Sequence, residues 1–264
     1  MTQIPKVTHQ IWFQGWNNLP EKYRGYTNSL SIFNPNWEHM KWDEASLRAE
    51  CEKFSPEALA KFDGFENMIQ KVDFGRYVVL YNYGGISVDC DVECLKPLEK
   101  IPCLDRYEIL ISRNAANETE DFLMTRGWST GIVMLNNATI CSTKEHPIME
   151  QFIEFLIEND SSHEEKTMDT QFKTGPLITS MFFNAYLDDP RIHILDPEIV
   201  EPWGYVNKRT VLNHVYSSSW VNPIFQWIPK FYTFIRMNVV IILFILFIAF
   251  IFYFIRKLLF GTKI

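Results

Sequence analysis

The sequence predicts a mainly parallel α/β sheet in one domain, followed by a C-terminal transmembrane helix. Three observations lead there. Strand-like and helix-like segments alternate along the chain. The 264 residues are 47% hydrophobic with only 11 Gly and 13 Pro, enough to build a core without disulfides or a structural metal, which excludes fibrous and disordered readings. Residues 239–255 contain only Val, Ile, Leu, Phe, Ala and one Tyr.

The first element, Lys6 to Phe13, is β-branched and aromatic, opened by Ile4-Pro5 and closed by Gly15, and reads as a strand entering a loop. A helix follows around Glu21 to Phe33, stopped by Asn34-Pro35-Asn36, then a short strand from Trp37 to Trp42. Helical patterns span Ala45 to Phe62 and Asn67 to Tyr83, and the second is cut by Gly84-Gly85 where a helix stop belongs. The strand Ile86 to Asp91 comes next, and Glu108 to Ser112 and Gly131 to Leu135 also read as strands. Pro147 to Glu158 is an amphipathic helix, Asp160 to Lys166 is linker-like, and no internal repeat is present.

The apolar run of 17 residues from Val239 to Ile255 covers roughly 25 Å as a helix. Met237, Asn238 and snorkelling by Arg236, Arg256 and Lys257 extend it to a helix over about 237–257, long enough for a bilayer core of about 30 Å. The expected division is therefore a soluble domain over 1–227 and a juxtamembrane segment with anchor over 228–264. The N-terminal residues lack the features of a signal peptide, and nine residues follow Ile255, which suits a single-pass C-terminal anchor with the soluble domain in the cytosol. A lumenal (ER or Golgi) placement is favoured instead by three basic residues beyond the helix against two before it, and by the sequons at Asn117 and Asn137.

The net charge of −7 is uneven: no acid lies beyond Pro223, whereas Lys230, Arg236, Arg256, Lys257 and Lys263 do, leaving the first 222 residues at −12. So acidic a domain excludes general nucleic-acid binding and suits a metal cation. Five cysteines without a CxxC pair read as buried small hydrophobes of a reducing compartment.

Alternation along Ile86 to Asp91 puts Ile86, Val88 and Cys90 on one face and Ser87, Asp89 and Asp91 on the other. Two carboxylates then project together at a strand end, where ligands bind open α/β sheets. They repel unless a cation lies between them, and hard oxygen ligands suit Mn²⁺ or Mg²⁺ completed by substrate phosphates. In the preceding helix Asp73 and Arg76 share one face.

The ordered string Asp73-x-x-Arg76-Tyr77, then Leu80-Tyr81-x-Tyr83-Gly84-Gly85-Ile86-x-Val88-Asp89-Cys90-Asp91, resembles the signature of glycosyltransferase family 32, whose core the glucosyltransferase domains of large clostridial toxins share. Ile4-Pro5-Lys6 with His9 to Phe13, Thr174-Gly175-Pro176, and His214 with Ser218-Ser219-Trp220 are similar to further family elements. Ser87 stands where the family usually has Tyr, and 128–131 lacks the Asn often seen there. The resemblance implies a GT-A, Rossmann-like single domain that transfers a hexose from a nucleotide sugar (GDP-mannose or a UDP-hexose) to a glycan or lipid acceptor, with retention and a bound divalent metal. It further implies that Trp12 stacks on the base and that Asp73 and Arg76 grip sugar hydroxyls. Asp89 would hold ribose and metal-bound water, Asp91 and His214 the metal, and Ser218 with Trp220 would close over the diphosphate. His9, by contrast, reads as structural. Two other readings fit the acids: a nucleotide-sugar- or carbohydrate-binding membrane protein without turnover, and a metal-dependent phosphoryl or nucleotidyl transferase.

Overall fold

The computed structural model describes residues 3–114, 132–202, 206–215, 217, 246–251 and 253. The chain divides into two units, Met1–Trp220 and Val221–Ile264. In the first, a six-stranded sheet is built from β1 (Val7–Ile11), β2 (Glu38–Trp42), β3 (Gly85–Val88), β5 (Ile109–Arg113), β6 (Leu135–Ser142) and β7 (Ile192–Leu195), in the order β2-β1-β3-β6-β5-β7. Strands β4 (Val92–Cys94) and β8 (Leu212–His214) form a separate antiparallel pair. The sheet is mixed rather than mainly parallel: β1 pairs parallel with β2 and β3, and β5 with β7, but β6 runs against both β3 and β5. Helix and strand alternation carries no information about a strand that reverses, so β6 escaped the expectation.

Among the described residues of the first unit the α-helices are α1 (Glu21–Phe33), α2 (Glu44–Phe54), α3 (Pro56–Gly64), α4 (Met68–Tyr83), α5 (Pro147–Glu158), α6 (Lys166–Lys173), α7 (Pro176–Phe183) and α8 (Pro197–Val200). One helix was expected over Ala45 to Phe62; two form, because the Ser55 side chain caps α3 by accepting from Ala58 N–H and Pro56 cannot continue α2. The strand expected over 131–135 is displaced, since β6 begins at Leu135 and runs eight buried residues to Ser142. Its polar start, Asn136-Asn137, masked it in the sequence.

Both faces of the sheet are covered. Leu47, Phe62, Phe74, Tyr77, Ile153 and Phe183 from α2, α3, α4, α5 and α7 pack on one face with Ile109, Ile111 and Ile140. Leu30, Val92, Leu98, Ile199 and Leu212 pack on the other with Ile86, Val88 and Leu110. The α4-β3 turn needs its glycines: Gly84 and Gly85 have φ of +66° and +101°, and a Cβ on Gly85 would stand 2.3 Å from the carbonyl oxygen of Val7. This close approach sets β3 beside β1 and fixes where the chain leaves the sheet at Asp89.

His9 is structural, as read. It is fully buried, and its Nδ1 accepts from the Trp42 indole N–H at 3.1 Å, so Nε2 carries the proton and donates to Gly84 O at 2.7 Å. Burial holds its pKa down at about 4 against 6.5. The unfolded chain thus takes up this proton near pH 6.5 and the folded chain only near 4. The resulting stability is full above that window and falls, by about 3 kcal/mol, as the pH drops through it. Urea unfolding between about pH 7.5 and 4.5 should show a weaker slope in His9→Gln. An unchanged slope would contradict this account.

All five cysteines are free, with Cys51, Cys90, Cys94 and Cys141 buried. Among the described residues no helix is long and apolar enough to cross a membrane. The expected span over about 237–257 lies largely outside them; residues 246–251 and 253 are helical.

Candidate active site

The C-terminal ends of β1 and β3 and, because β6 is antiparallel, the start of β6 lie at one edge of the sheet. Behind them runs α4, buried from Asp73 to Leu80. A helix so enclosed admits charge only where it is paired. Arg76 Nη2 lies 2.5 Å from Asp89 Oδ1 and 3.6 Å from Asp73 Oδ1, and Nη1 donates to the Asn137 carbonyl. This is a buried charged cluster, not the surface ion pair that i, i+3 spacing alone suggests. Asp73 is held further by Asn137, whose Nδ2 donates to its Oδ1 at 3.0 Å and to the Tyr77 hydroxyl at 2.9 Å. The Tyr77 hydroxyl donates to Thr174 O at 2.7 Å, and the Thr174 hydroxyl has a long 3.5 Å contact with Asp73 Oδ2. Burial pushes the Asp73 carboxyl up to about 7 against the pull of Arg76. Burial also raises Asp89, which Arg76 counters.

Asp89 and Asp91 do not share a strand face. Strand β3 ends at Val88, Val92 N–H donates to Asp89 O at 3.1 Å across a turn, and β4 begins. The turn swings Cys90 out of line with Ile86 and Val88 and into a small cluster with Trp12, Leu19 and Tyr23. It also carries Asp91 to β8, where His214 Nε2 lies 3.3 Å from Asp91 Oδ1 and Ser217 N–H donates to Oδ2 at 2.8 Å. Burial opposes ionisation of Asp91, but the His214 and Ser217 hydrogen bonds outweigh it and hold the carboxyl well below the usual range. Burial likewise works against a charged His214, but Glu201 and Asp91 outweigh it and raise its pKa well above 6.5.

One donor atom each from Asp89, Asp91 and His214 lie within 4.8 Å of one another. Two carboxylate oxygens and an imidazole nitrogen form a set that fits Mn²⁺ or Mg²⁺. Arg76 donates to one oxygen of Asp89, Oδ1. The residues present therefore fit a divalent cation.

Residues 20–108 match a family described as the glycosyltransferase sugar-binding region containing a DXD motif, and the matched stretch ends beyond Asp89-Cys90-Asp91. Over that stretch the chain is similar to the DXD-motif glycosyltransferases. It is 28% identical over 204 residues to inositol phosphoceramide mannosyltransferase 3 of Schizosaccharomyces pombe, covering 75% of this chain and 51% of that protein. It is 27% identical over 228 residues to an uncharacterized glycosyltransferase of Acanthamoeba polyphaga mimivirus, covering 82% and 84%. The chain thus spans about half the length of the mannosyltransferase. Among solved structures, the PaToxG glycosyltransferase superposes with a TM-score of 0.50 at 18% identity over 71% of each chain. The fold of the chain is accordingly GT-A-like α/β with a mixed central sheet.

Of the residues singled out in the sequence, Asp73, Arg76, Asp89, Asp91 and His214 come together. Trp12 follows β1 and packs in the cluster that holds Cys90, with its ring centroid 5.5 Å from that of Tyr23 and its indole N–H buried without a partner among the described residues. Ser218 and Trp220 lie outside the described residues, as do 128–131 and the Asn117 sequon. The Asn137 sequon is no acceptor: Asn137 and Thr139 are 6% and 1% exposed inside β6, and the Asn137 amide is spent on Asp73. That removes one of the grounds for a lumenal placement. Sequence reasoning missed Asn137 and Glu201. An Asn pair opening a buried strand, and an acid between Val200 and Pro202, were the available signals.

Proposed function

We propose that this chain is a metal-dependent, retaining hexosyltransferase that uses a nucleotide sugar as donor and a membrane-borne lipid or glycan as acceptor. The observation that carries the reading is the convergence of Asp89, Asp91 and His214 within 4.8 Å beside the buried Asp73-Arg76 pair. A divalent ion held there would neutralise the charge that grows on the departing nucleoside diphosphate. The protein's own residues prepare the site for it. Arg76 has both terminal nitrogens committed to Asp89, Asp73 and Asn137, so it fixes the two carboxylates rather than reaching out. Asp73 Oδ2, whose one hydrogen bond among the described residues is the long contact from Thr174, is the oxygen available to a sugar hydroxyl. Trp12 offers an apolar ring and an unpartnered N–H to the nucleoside.

GDP-mannose and an inositol-phosphoceramide-like lipid are the favoured donor and acceptor, because the S. pombe relative is named for mannose transfer to inositol phosphoceramide. UDP-hexoses and other glycans are the next choice. The apolar run over 239–255 would anchor the domain of about 1–227 at the membrane and raise the local acceptor concentration.

The test is a panel of nucleotide sugars incubated with the full-length protein and Mn²⁺, with and without vesicles carrying the lipid acceptor. One donor should yield free sugar and nucleoside diphosphate, its sugar should be transferred to the vesicle lipid, and the protein should float with the vesicles. Donor binding without release would mark a binding protein instead. Monophosphate or pyrophosphate products would mark a phosphoryl or nucleotidyl transferase.

A further inference from the structure

His214 is held from both sides. Its Nε2 faces Asp91 Oδ1 at 3.3 Å, and its Nδ1 lies 2.7 Å from Oε2 of Glu201. Glu201 has no exposed surface. It follows α8 directly, and its backbone N–H donates to Pro197 O at 2.7 Å, which closes that short helix and places the side chain behind the imidazole. A carboxylate so fully removed from water costs several kcal/mol unless specific partners hold it. A carboxylate oxygen 2.7 Å from Nδ1 accepts from it, so Nδ1 keeps its proton; when a cation displaces the proton on Nε2, the lone pair left there points at the Asp89-Asp91 acids.

We propose that Glu201 is the positioning residue that makes His214 a metal ligand. It fixes the Nδ1–H tautomer, locks the ring plane and raises the basicity of Nε2, as carboxylates behind metal-bound imidazoles do. This rests on reading Asp89, Asp91 and His214 as a cation site. It goes further in adding a residue more than 100 positions beyond the Asp pair, outside the matched stretch of 20–108. Glu201 would not touch the ion; it would act through His214.

The test is Mn²⁺ binding to the full-length protein, followed by electron paramagnetic resonance of the free ion, in wild type, Glu201→Gln and Glu201→Leu. Glu201→Leu should weaken Mn²⁺ about 10- to 100-fold. Glu201→Gln has the same shape and can still accept from Nδ1–H, so it should recover part of that loss. Nitrogen NMR of the Mg²⁺-loaded protein should show His214 as the Nδ1–H tautomer in wild type and a mixture in Glu201→Leu. If both variants bind Mn²⁺ as wild type does while their thermal stability falls, Glu201 only supports the fold and the proposal is overturned. If wild type binds Mn²⁺ but Glu201→Gln and Glu201→Leu lose affinity equally, the hydrogen-bond account is overturned while the cation site stands. If wild type binds no Mn²⁺, the cation site itself fails.

Discussion

Replacing Asp91 by Asn should reduce donor hydrolysis by about 10³-fold, about 4 kcal/mol of transition-state stabilisation, while the protein stays folded. The size follows from what is lost. Removing one preorganised hydrogen-bond donor from a developing oxyanion costs about 10²- to 10³-fold, and losing a dication aimed at the same charge costs at least the upper figure. The fold should survive because Asn matches Asp in shape and its Oδ1 can still accept from the Ser217 N–H that now reaches Asp91 Oδ2 at 2.8 Å. The measurement is the turnover number for sugar release alongside a melting curve. A variant within about tenfold of wild type would place the chemistry elsewhere.

The second large effect is on stability. Arg76 is 3% exposed and sits between Asp73 and Asp89, so Arg76→Met should leave two buried carboxylates without their cation and cost about 3–5 kcal/mol. The pH dependence identifies the cause. Burial already pushes Asp73 to about 7 and raises Asp89, and without Arg76 both would rise further. A carboxyl whose folded pKa is raised binds its proton more tightly when folded, so its penalty is full above the folded pKa and shrinks as the pH falls toward the unfolded value. The deficit of Arg76→Met in urea unfolding should therefore be larger at about pH 8 than at about pH 5. Lost packing alone would give a deficit independent of pH. Arg76→Lys should recover only part, since a single ammonium cannot reach Asp73, Asp89 and the Asn137 carbonyl in the planar geometry of a guanidinium.

The first half of the fold was legible because its signals are local. Gly84-Gly85 marks a turn with two positive φ angles, Asn34-Pro35-Asn36 stops α1, and Ile4-Pro5 and Gly15 bracket β1. The Asp73-Arg76 and Asp89-Asp91 pairs were legible for the same reason, and His214 through the family resemblance. What the sequence hid depends on distant contacts. The reversal at β6 is a property of pairing with β3 and β5, and its opening Asn136-Asn137 look like a loop until Asp73 and Tyr77 are seen accepting the Asn137 amide. The turn after Val88 is likewise set by tertiary structure, since Asp91 is drawn away from the strand by His214 and Ser217. Glu201 escaped because an isolated acid near Pro197 and Pro202 reads as surface until β8 brings His214 to it.

The most direct test of the central claim is calorimetric titration of the full-length protein with GDP and with UDP, in Mn²⁺ and again in excess chelator. One of the two should bind tightly in Mn²⁺, lose at least about 10-fold in affinity in chelator, and show no metal dependence in Asp91→Asn. Equal affinity for the nucleotide in Mn²⁺ and in chelator would contradict a cation held by Asp89, Asp91 and His214.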